Sequence, residues 1–186
     1  DGEFFSIASI PGLQERTILL DGFSKTYAMT GWRLGYGVMN REMAIHIARL
    51  VTNSESCTAT FTQLAGIEAL QGPQEATKLM VEQFRRRRDL IVQGLNSIKG
   101  VSCLLPQGAF YVFPNVTEAC RNLGVADAKA LQQKLLHEAG VAVLPRTSFG
   151  RKLPGEREEY LRLSYATSEA LIEEGIGRMK RWIEGH

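Results

Sequence analysis

The fold of this chain is decided by residues 21–36, which have the sequence DGFSKTYAMTGWRLGY. An apolar run at residues 18–20 precedes them, and its composition predicts a strand that is buried on both faces. The stretch then supplies a hydroxyl, an amine and a guanidinium, from Ser24, Lys25 and Arg33. Its glycines allow the backbone to turn back and to pack closely. Residues 21–36 therefore predict a strand end followed by a loop that carries three polar side chains.

These three side chains suggest one class of cofactor. A hydroxyl and a guanidinium are suited to bind a phosphate ester, and an amine beside them can form a covalent imine with an aldehyde. Pyridoxal phosphate is a phosphorylated aldehyde used in this way. The amine must be neutral to react, which predicts that Lys25 is buried near cationic groups. The simpler interpretations are a surface lysine, a turn serine and an arginine in a loop ion pair.

The pattern S-K-x-Y-x-M-T-G-W-R-x-G-Y at residues 24–36 resembles the cofactor-lysine signature of fold-type I pyridoxal-phosphate enzymes, in the class I/II aminotransferase family. The resemblance implies that Lys25 is the Schiff-base lysine and the catalytic proton carrier, and that Ser24 and Arg33 bind the cofactor phosphate. It also implies transamination between an amino acid and a 2-oxo acid. A lyase of the same fold, such as a C–S lyase, is the alternative enzyme.

A second segment concerns the substrate. Residues 160–166, YLRLSYA, predict a strand in which Arg162 lies between apolar neighbours and needs a partner, because a buried unpaired charge is costly. The segment resembles the family strand R-[LI]-S-x-A, which implies that Arg162 binds the substrate α-carboxylate; a structural salt bridge is the alternative. Residues 106–111 and 141–150 also resemble family segments, but Arg146 stands where the family usually has glycine.

The resemblance also implies the domain organisation. Residues 1–75 correspond to the C-terminal part of a large cofactor-binding α/β domain. Residues 76–186 correspond to a small α+β domain, with a mixed sheet and flanking helices, that is entered by a long linking helix. In the family the matching lysine lies well past the middle of a longer chain, so we interpret this chain as the C-terminal part of such an enzyme. A catalytically inert isolated chain is a further alternative.

Periodicity and turn residues predict the individual elements. Strands are predicted at residues 34–39, 101–105, 109–113, 141–144 and 160–166, and helices at 41–51, 61–70, 74–98, 126–139 and from Ser168 onward. The helix positions predicted to face inward are Ala44, Ile47, Ala48, Val51, Leu64, Ala65, Ala69, Leu131, Leu135, Leu136, Ile172, Ile176, Met179 and Ile183.

Composition excludes several kinds of partner. The net charge is +2, which gives no reason to expect nucleic acid or an anionic membrane as a partner. Four consecutive arginines at residues 85–88 spread around a helix, so we expect a solvated face with one or two buried pairs. No apolar stretch approaches the length of a membrane span.

The cysteines predict the compartment, and the strands near Lys25 predict how the chain assembles. Cys57, Cys103 and Cys120 are odd in number and widely spaced, which favours buried free thiols in a reducing compartment, the cytoplasm, and no metal site. The family resemblance implies a homodimer. Because the strands near Lys25 would lack sheet neighbours, we also expect self-association or poor order in the first 75 residues.

Overall fold

A computed structural model describes residues 2–186 and divides them into two units, Gly2–Met80 and Val81–His186. The helix Glu75–Asn96 is continuous through this division. The assignment of the two units to a large and a small domain stays a prediction.

The first unit contains a two-stranded antiparallel sheet, three complete α-helices and the beginning of the helix Glu75–Asn96. Its elements are β1 (Leu19–Gly22), α1 (Phe23–Thr26), β2 (Gly35–Val38), α2 (Arg41–Ser54) and α3 (Thr60–Gln71). The strands pair in a register that runs from Leu19 opposite Val38 to Gly22 opposite Gly35. The predicted strand after the lysine loop and the two predicted helices are therefore present.

Local contacts explain where two of these helices lie. Asn40 caps α2, because its Oδ1 accepts a hydrogen bond from the Met43 backbone N–H at 2.9 Å. In α3, a Cβ added to Gly66 would lie 2.5 Å from the Leu34 side chain and 3.4 Å from the Phe23 ring. Glycine thus lets α3 approach the segment between β1 and β2 closely.

The burial predicted for this unit is wrong in several places. Leu20 is 76% exposed, so the strand is not buried on both faces. Helix α2 contains no buried residue, and the predicted inward residue Leu64 of α3 is 62% exposed; α3 buries Thr62 and Gly66 instead. The reason is that β1 pairs only with β2, and the elements within residues 2–80 leave the apolar faces uncovered.

We predict that the chain self-associates through this unit, because it exposes many large apolar residues, such as Leu20 and Leu50, and exposed apolar surface favours association. Sedimentation velocity over a wide range of concentrations should show oligomers that dissociate in a Leu20→Lys, Leu50→Lys double variant. Leu171→Lys, the same change at an exposed position of the second unit, is the control and should leave association unchanged. A monomer at every concentration would contradict the prediction.

The second unit is a three-stranded sheet packed with helices. It contains the C-terminal part of α4 (Glu75–Asn96), then β3 (Tyr111–Val112), α5 (Thr117–Asn122), α6 (Ala128–His137), β4 (Leu144–Pro145), β5 (Leu161–Ser164) and α7 (Glu169–Gly185). The strand order is β3-β5-β4, and both pairings are antiparallel. Strand β5 is therefore the central strand.

Helix α7 follows the predicted pattern. The Ser168 hydroxyl accepts a hydrogen bond from the Leu171 N–H at 3.3 Å and caps the helix, as predicted. The four residues predicted to face inward are all buried: Ile172, Ile176, Met179 and Ile183. Trp182 is buried as well, which the pattern did not predict.

Helix α6 shows one error in the predicted core. Leu131 and Leu135 are fully buried as predicted, whereas Leu136 is 39% exposed. A helix turns by about 100° per residue, so Leu136 is carried away from the stripe that Leu131 and Leu135 share. Gly140 follows the helix with φ +67°, and the Val141 N–H bonds to the Leu135 carbonyl at 2.9 Å, so the predicted glycine stop is present.

The strands of this unit are shorter than predicted. Residues 101–105 form only an isolated bridge, between Ser102 and Asn115. Pro106 and Pro114 flank the pairing segments, and proline has no N–H to donate to a ladder. The ladders therefore remain short around the central strand.

The arginine run and the cysteines lie largely as expected. Arg88 is buried, and its side chain donates to Asp89 Oδ1 at 2.9 Å and to the Pro106 carbonyl at 3.4 Å.

All three cysteines are free, and Cys103 and Cys120 are buried, but Cys57 is exposed, so the prediction of three buried thiols is wrong for that residue. Burial and the nearby Glu159 carboxylate raise the pKa of Cys120 to about 11.

The neighbouring leucines of α6 provide a matched stability test. Leu135→Ala should lower the free energy of unfolding by about 2–5 kcal/mol, because it removes fully buried methyl groups and leaves a cavity. Leu136→Ala should cost no more than about 1 kcal/mol, because the side chain is already partly in water. Urea unfolding followed by Trp182 fluorescence, in a Trp32→Phe background, measures both. Equal losses would contradict the burial assigned to α6.

Candidate active site

The predicted cofactor residues lie on one connection between two paired strands. Residues 23–34 join β1 to β2, and the Phe23 N–H donates to the Leu34 carbonyl at 3.2 Å, directly beyond the Gly22–Gly35 pair. Ser24 follows Phe23 in the chain, and Arg33 precedes Leu34. Both predicted phosphate ligands are thus adjacent to the hydrogen bond that closes the connection, and Lys25 is the residue after Ser24.

Lys25 lies in the single turn of α1. This turn begins at the buried residue Phe23, and the Tyr27 N–H bonds to the Phe23 carbonyl at 3.2 Å. Ser24 is half-buried, whereas Lys25 is exposed. The expectation that Lys25 is buried is therefore wrong for this chain, because residues 2–186 do not cover the amine.

Arg33 is held in an unusual backbone conformation. Its φ and ψ are 54° and 51°, in the left-handed region, and Ala28 also has a positive φ of 53°. This region costs a residue with a Cβ roughly 1–2 kcal/mol. The Arg33 Nη1 donates to the Thr30 carbonyl at 3.0 Å, which fixes the guanidinium against its own turn. Strain of this kind clusters at functional sites, so it supports a functional interpretation of the connection.

An open cavity of about 700 Å³ lies beside Arg33. Its wall includes Trp32 and Phe61, whose rings meet edge to face with centroids 6.4 Å apart. The lining includes neither Ser24 nor Lys25. This cavity therefore marks space next to the predicted phosphate ligand and not at the reactive amine.

A pair of side chains bridges the two strands at the start of the connection. Asp21 lies opposite Tyr36 in the ladder, and the Tyr36 hydroxyl donates to Asp21 Oδ2 at 3.2 Å. The other carboxylate oxygen accepts from the Gly22 N–H at 2.7 Å. Desolvation of the hydroxyl and then the Asp21 carboxylate raise the pKa of Tyr36. The pair therefore links β1 to β2 at the ends that residues 23–34 connect.

Arg162 lies in the second unit, at the centre of the sheet. It occupies the second position of β5, between the buried residues Leu161 and Leu163. Its guanidinium lies between two aromatic rings, 4.3 Å from the centroid of Tyr111 and 4.4 Å from that of Phe149. Among the described residues, the Arg162 side chain has no ion pair. The proximity of these rings to Arg162 cannot be predicted from the sequence alone, since it depends on how the strands pair.

Two other kinds of site are not found in the part of the chain that the structure describes. Residues 2–186 contain no group of three or more His, Cys, Asp or Glu side chains that could hold a metal ion. In the same range, every helix is too short or too polar to cross a membrane.

Comparison with known proteins identifies the family. The family model "Aminotransferase class I and II" matches residues 2–179. The chain belongs to this aminotransferase family. It is 40% identical over 174 residues to an aspartate aminotransferase of Bacillus subtilis, a match that covers 94% of this chain and 43% of that protein. It is 42% identical over 187 residues to a probable aspartate/prephenate aminotransferase of Aquifex aeolicus, covering 99% of this chain and 45% of that protein.

Solved structures of aminotransferases have the same fold. The crystal structure of an aspartate aminotransferase from Rhizobium meliloti matches with a TM-score of 0.89 and 39% identity, over 99% of this chain and 46% of that one. An aromatic aminotransferase from Pyrococcus horikoshii matches with a TM-score of 0.89 and 37% identity, over 100% and 48%. The predicted family and the α/β fold class of fold-type I are thus confirmed. This chain spans less than half the length of these relatives.

The Asp21–Tyr36 pair gives a prediction that concerns pH. Asp21→Asn removes the negative charge that opposes ionisation of the hydroxyl, so the pKa of Tyr36 should fall. An NMR titration of chains labelled with ¹³C at the tyrosine Cζ resolves this residue from the other tyrosines. An unchanged pKa of Tyr36 would contradict the pairing.

Proposed function

We propose that the protein carrying this chain is a pyridoxal-phosphate-dependent aminotransferase, which moves an amino group between an amino acid and a 2-oxo acid. The observation that carries the proposal is the closed connection between β1 and β2. Its Phe23–Leu34 hydrogen bond holds Ser24, Lys25 and Arg33 on one short segment, and the family match includes that segment.

The donor set fits the cofactor. A guanidinium offers five N–H donors in a planar fork that suits a phosphate, and the Ser24 hydroxyl adds a further donor. Lys25 supplies the primary amine that an aldehyde requires. When bound, pyridoxal phosphate supplies an electron sink for the substrate Cα. Arg33 uses one of its N–H donors on the Thr30 carbonyl, and the fork has others to offer a phosphate.

Each residue has a separate role in the proposed reaction. Lys25 Nζ would hold the cofactor and, once displaced by the substrate amine, would carry the proton between the substrate Cα and the C4′ carbon of the cofactor. Ser24 and Arg33 hold the phosphate, and Arg162 binds the substrate α-carboxylate through its planar fork. Lys25 is exposed in this chain, so residues 2–186 alone do not keep water away from it. We therefore expect the isolated chain to bind the cofactor but not to turn over substrate.

The proposal extends to assembly and location. We infer a homodimer for the whole protein, supported by the exposed apolar residues of the first unit, such as Leu50 and Phe61. We infer the cytoplasm as its location, supported by three free cysteines.

Borohydride reduction tests the assignment of Lys25. The chain mixed with pyridoxal phosphate should gain a visible absorption band, and reduction followed by peptide mapping should place the adduct on Lys25. Lys25→Ala should lose this adduct, because the variant lacks the side-chain amine that would form it. Lys78→Ala, at an exposed lysine of the same unit, should retain it. Equal labelling of Lys25 and Lys78 would contradict the proposal.

The phosphate ligands are tested by omitting the phosphate. Pyridoxal, which lacks this group, should label Lys25 less than pyridoxal phosphate does at equal concentration. Arg33→Ala should weaken that preference, because Ser24 alone would then hold the phosphate, and it should leave the weaker labelling by pyridoxal unchanged. A preference that is the same with and without Arg33 would contradict its assignment as a phosphate ligand.

The reaction type is tested on a protein of the relatives' length that contains this chain. Addition of an amino acid in a single turnover should convert the cofactor to its amine form and release one equivalent of 2-oxo acid. Release of ammonia together with pyruvate would indicate a lyase instead.

A further inference from the structure

The face of the small sheet that carries Arg162 is set by the strand register. Neighbouring residues of a strand point to opposite faces. Leu161 and Leu163 are buried in the core, so Arg162 and Ser164 face the other side. Tyr111 lies opposite Ser164 in the ladder, which makes it a diagonal neighbour of Arg162 on the same face.

Two aromatic rings pack against the Arg162 guanidinium. The guanidinium carbon lies over both rings, 4.3 Å from the Tyr111 centroid and 4.4 Å from the Phe149 centroid. A cation is attracted to the face of an aromatic ring. Within residues 2–186, no carboxylate forms an ion pair with this guanidinium. Among the described residues, the side-chain N–H groups of Arg162 have no hydrogen-bond acceptor. Stacking therefore leaves the edge of the guanidinium for a planar ligand, such as a carboxylate.

The ring of Phe149 depends on a second arginine. Phe149 ends a single 3₁₀ turn that begins at Arg146, and Gly150 follows with φ +126°. Arg146 Nη1 donates to the Gly150 carbonyl at 2.9 Å, and Nη2 contacts the Arg151 carbonyl at 3.4 Å. Nη2 also donates to Glu156 Oε2 at 3.0 Å. These bonds tie together the backbone on both sides of the turn.

The Arg146–Glu156 pair is protected from solvent more than most ion pairs on a loop. The two side chains are 20% and 16% exposed, and Glu156 Oε2 accepts a further bond, from the Leu153 N–H at 2.9 Å. A partly desolvated, hydrogen-bonded pair resists screening better than an exposed one. It can therefore keep the turn in one conformation.

We propose that Tyr111 and Phe149 are positioning residues that hold the Arg162 guanidinium flat for a substrate carboxylate, and that the Arg146–Glu156 pair holds Phe149 in place. The inference rests on the proposed function, in which Arg162 binds that carboxylate. Residue 146 departs from the glycine expected in this segment. The arginine replaces backbone flexibility at that turn with a network of hydrogen bonds.

NMR of the full chain tests the stacking directly. The Nε–Hε signal of Arg162, assigned with Arg162→Lys, should be displaced by the two ring currents. Phe149→Leu should return it towards the position of an unstacked arginine, and Phe149→Tyr should keep it in place. Arg146→Ala should move it in the same direction as Phe149→Leu. Arg151→Ala, the same change at an exposed arginine of the same loop, is the control and should have no effect.

A titration in which acetate replaces chloride at constant ionic strength tests whether the stacked Arg162 binds a carboxylate. Acetate should shift the Arg162 signal, and Phe149→Leu should weaken this binding about two- to fivefold, the range expected from loss of one exposed cation–π contact. If Phe149→Leu does not fold, Tyr111→Leu provides the same test from the other ring. An Arg162 signal that ignores both substitutions, or acetate binding that does not weaken, would overturn the proposal.

The outcome is separable from that of the proposed function. Labelling of Lys25 involves residues of the other unit and does not depend on Phe149. Failure of the labelling with a stacked, acetate-binding Arg162 would count against the cofactor assignment alone. Normal labelling with an unstacked Arg162 would count against the positioning role alone.

Discussion

The hydrogen bond from the Phe23 N–H to the Leu34 carbonyl is the constraint on which the proposed active site depends. It closes the connection that leaves β1 and returns as β2, and it does so with backbone groups. Ser24 follows Phe23 and Arg33 precedes Leu34. The bond therefore brings these two residues, which are nine positions apart in sequence, to the two sides of the same end of the connection. The buried ring of Phe23 and the close approach of Gly66 keep the bond in place. A backbone bond of this kind needs no particular side chain at 24, 25 or 33, which leaves those positions available for chemistry.

The two units differ in how completely they bury their apolar residues. The second has a contiguous core in which Leu95, Leu131, Leu135 and Leu161 are fully buried. The first buries Phe23 and Met29 but leaves Leu20 and most apolar residues of α2 and α3 in water. Apolar area removed from water stabilises a fold by roughly 25 cal/mol per Å². The second unit therefore contains most of the stabilising burial, and the first contains the cofactor residues.

Much of this could be predicted from the sequence, and the errors have identifiable causes. The motif at residues 24–36 was sufficient for the family, because its spacing reflects a fixed backbone path. The caps at Asn40 and Ser168 and the buried stripe of α7 follow from local rules. Burial of residues 18–20 and of α2 could not be predicted correctly, because periodicity indicates which face is apolar but not whether anything covers it. The same limit applies to Lys25.

The partners of Arg162 were also outside the reach of sequence reasoning. Tyr111 lies far from it in sequence, and only the register of β3 on β5 makes the two neighbours. The sequence shows Arg146 in place of the expected glycine, but its bonds to Glu156 and to the Gly150 carbonyl depend on the fold of the loop. Local signals therefore identified the reactive groups, and tertiary structure was needed to identify what orients them.

The central place of β5 also limits how this sequence can evolve. Successive residues of a strand alternate between faces, so inserting or deleting one residue in β5 would turn Arg162 into the apolar core and expose its leucine neighbours. Length variation among descendants must then be confined to the loops on either side, such as residues 151–159. Within β5 itself, only point substitutions that preserve the alternation can accumulate.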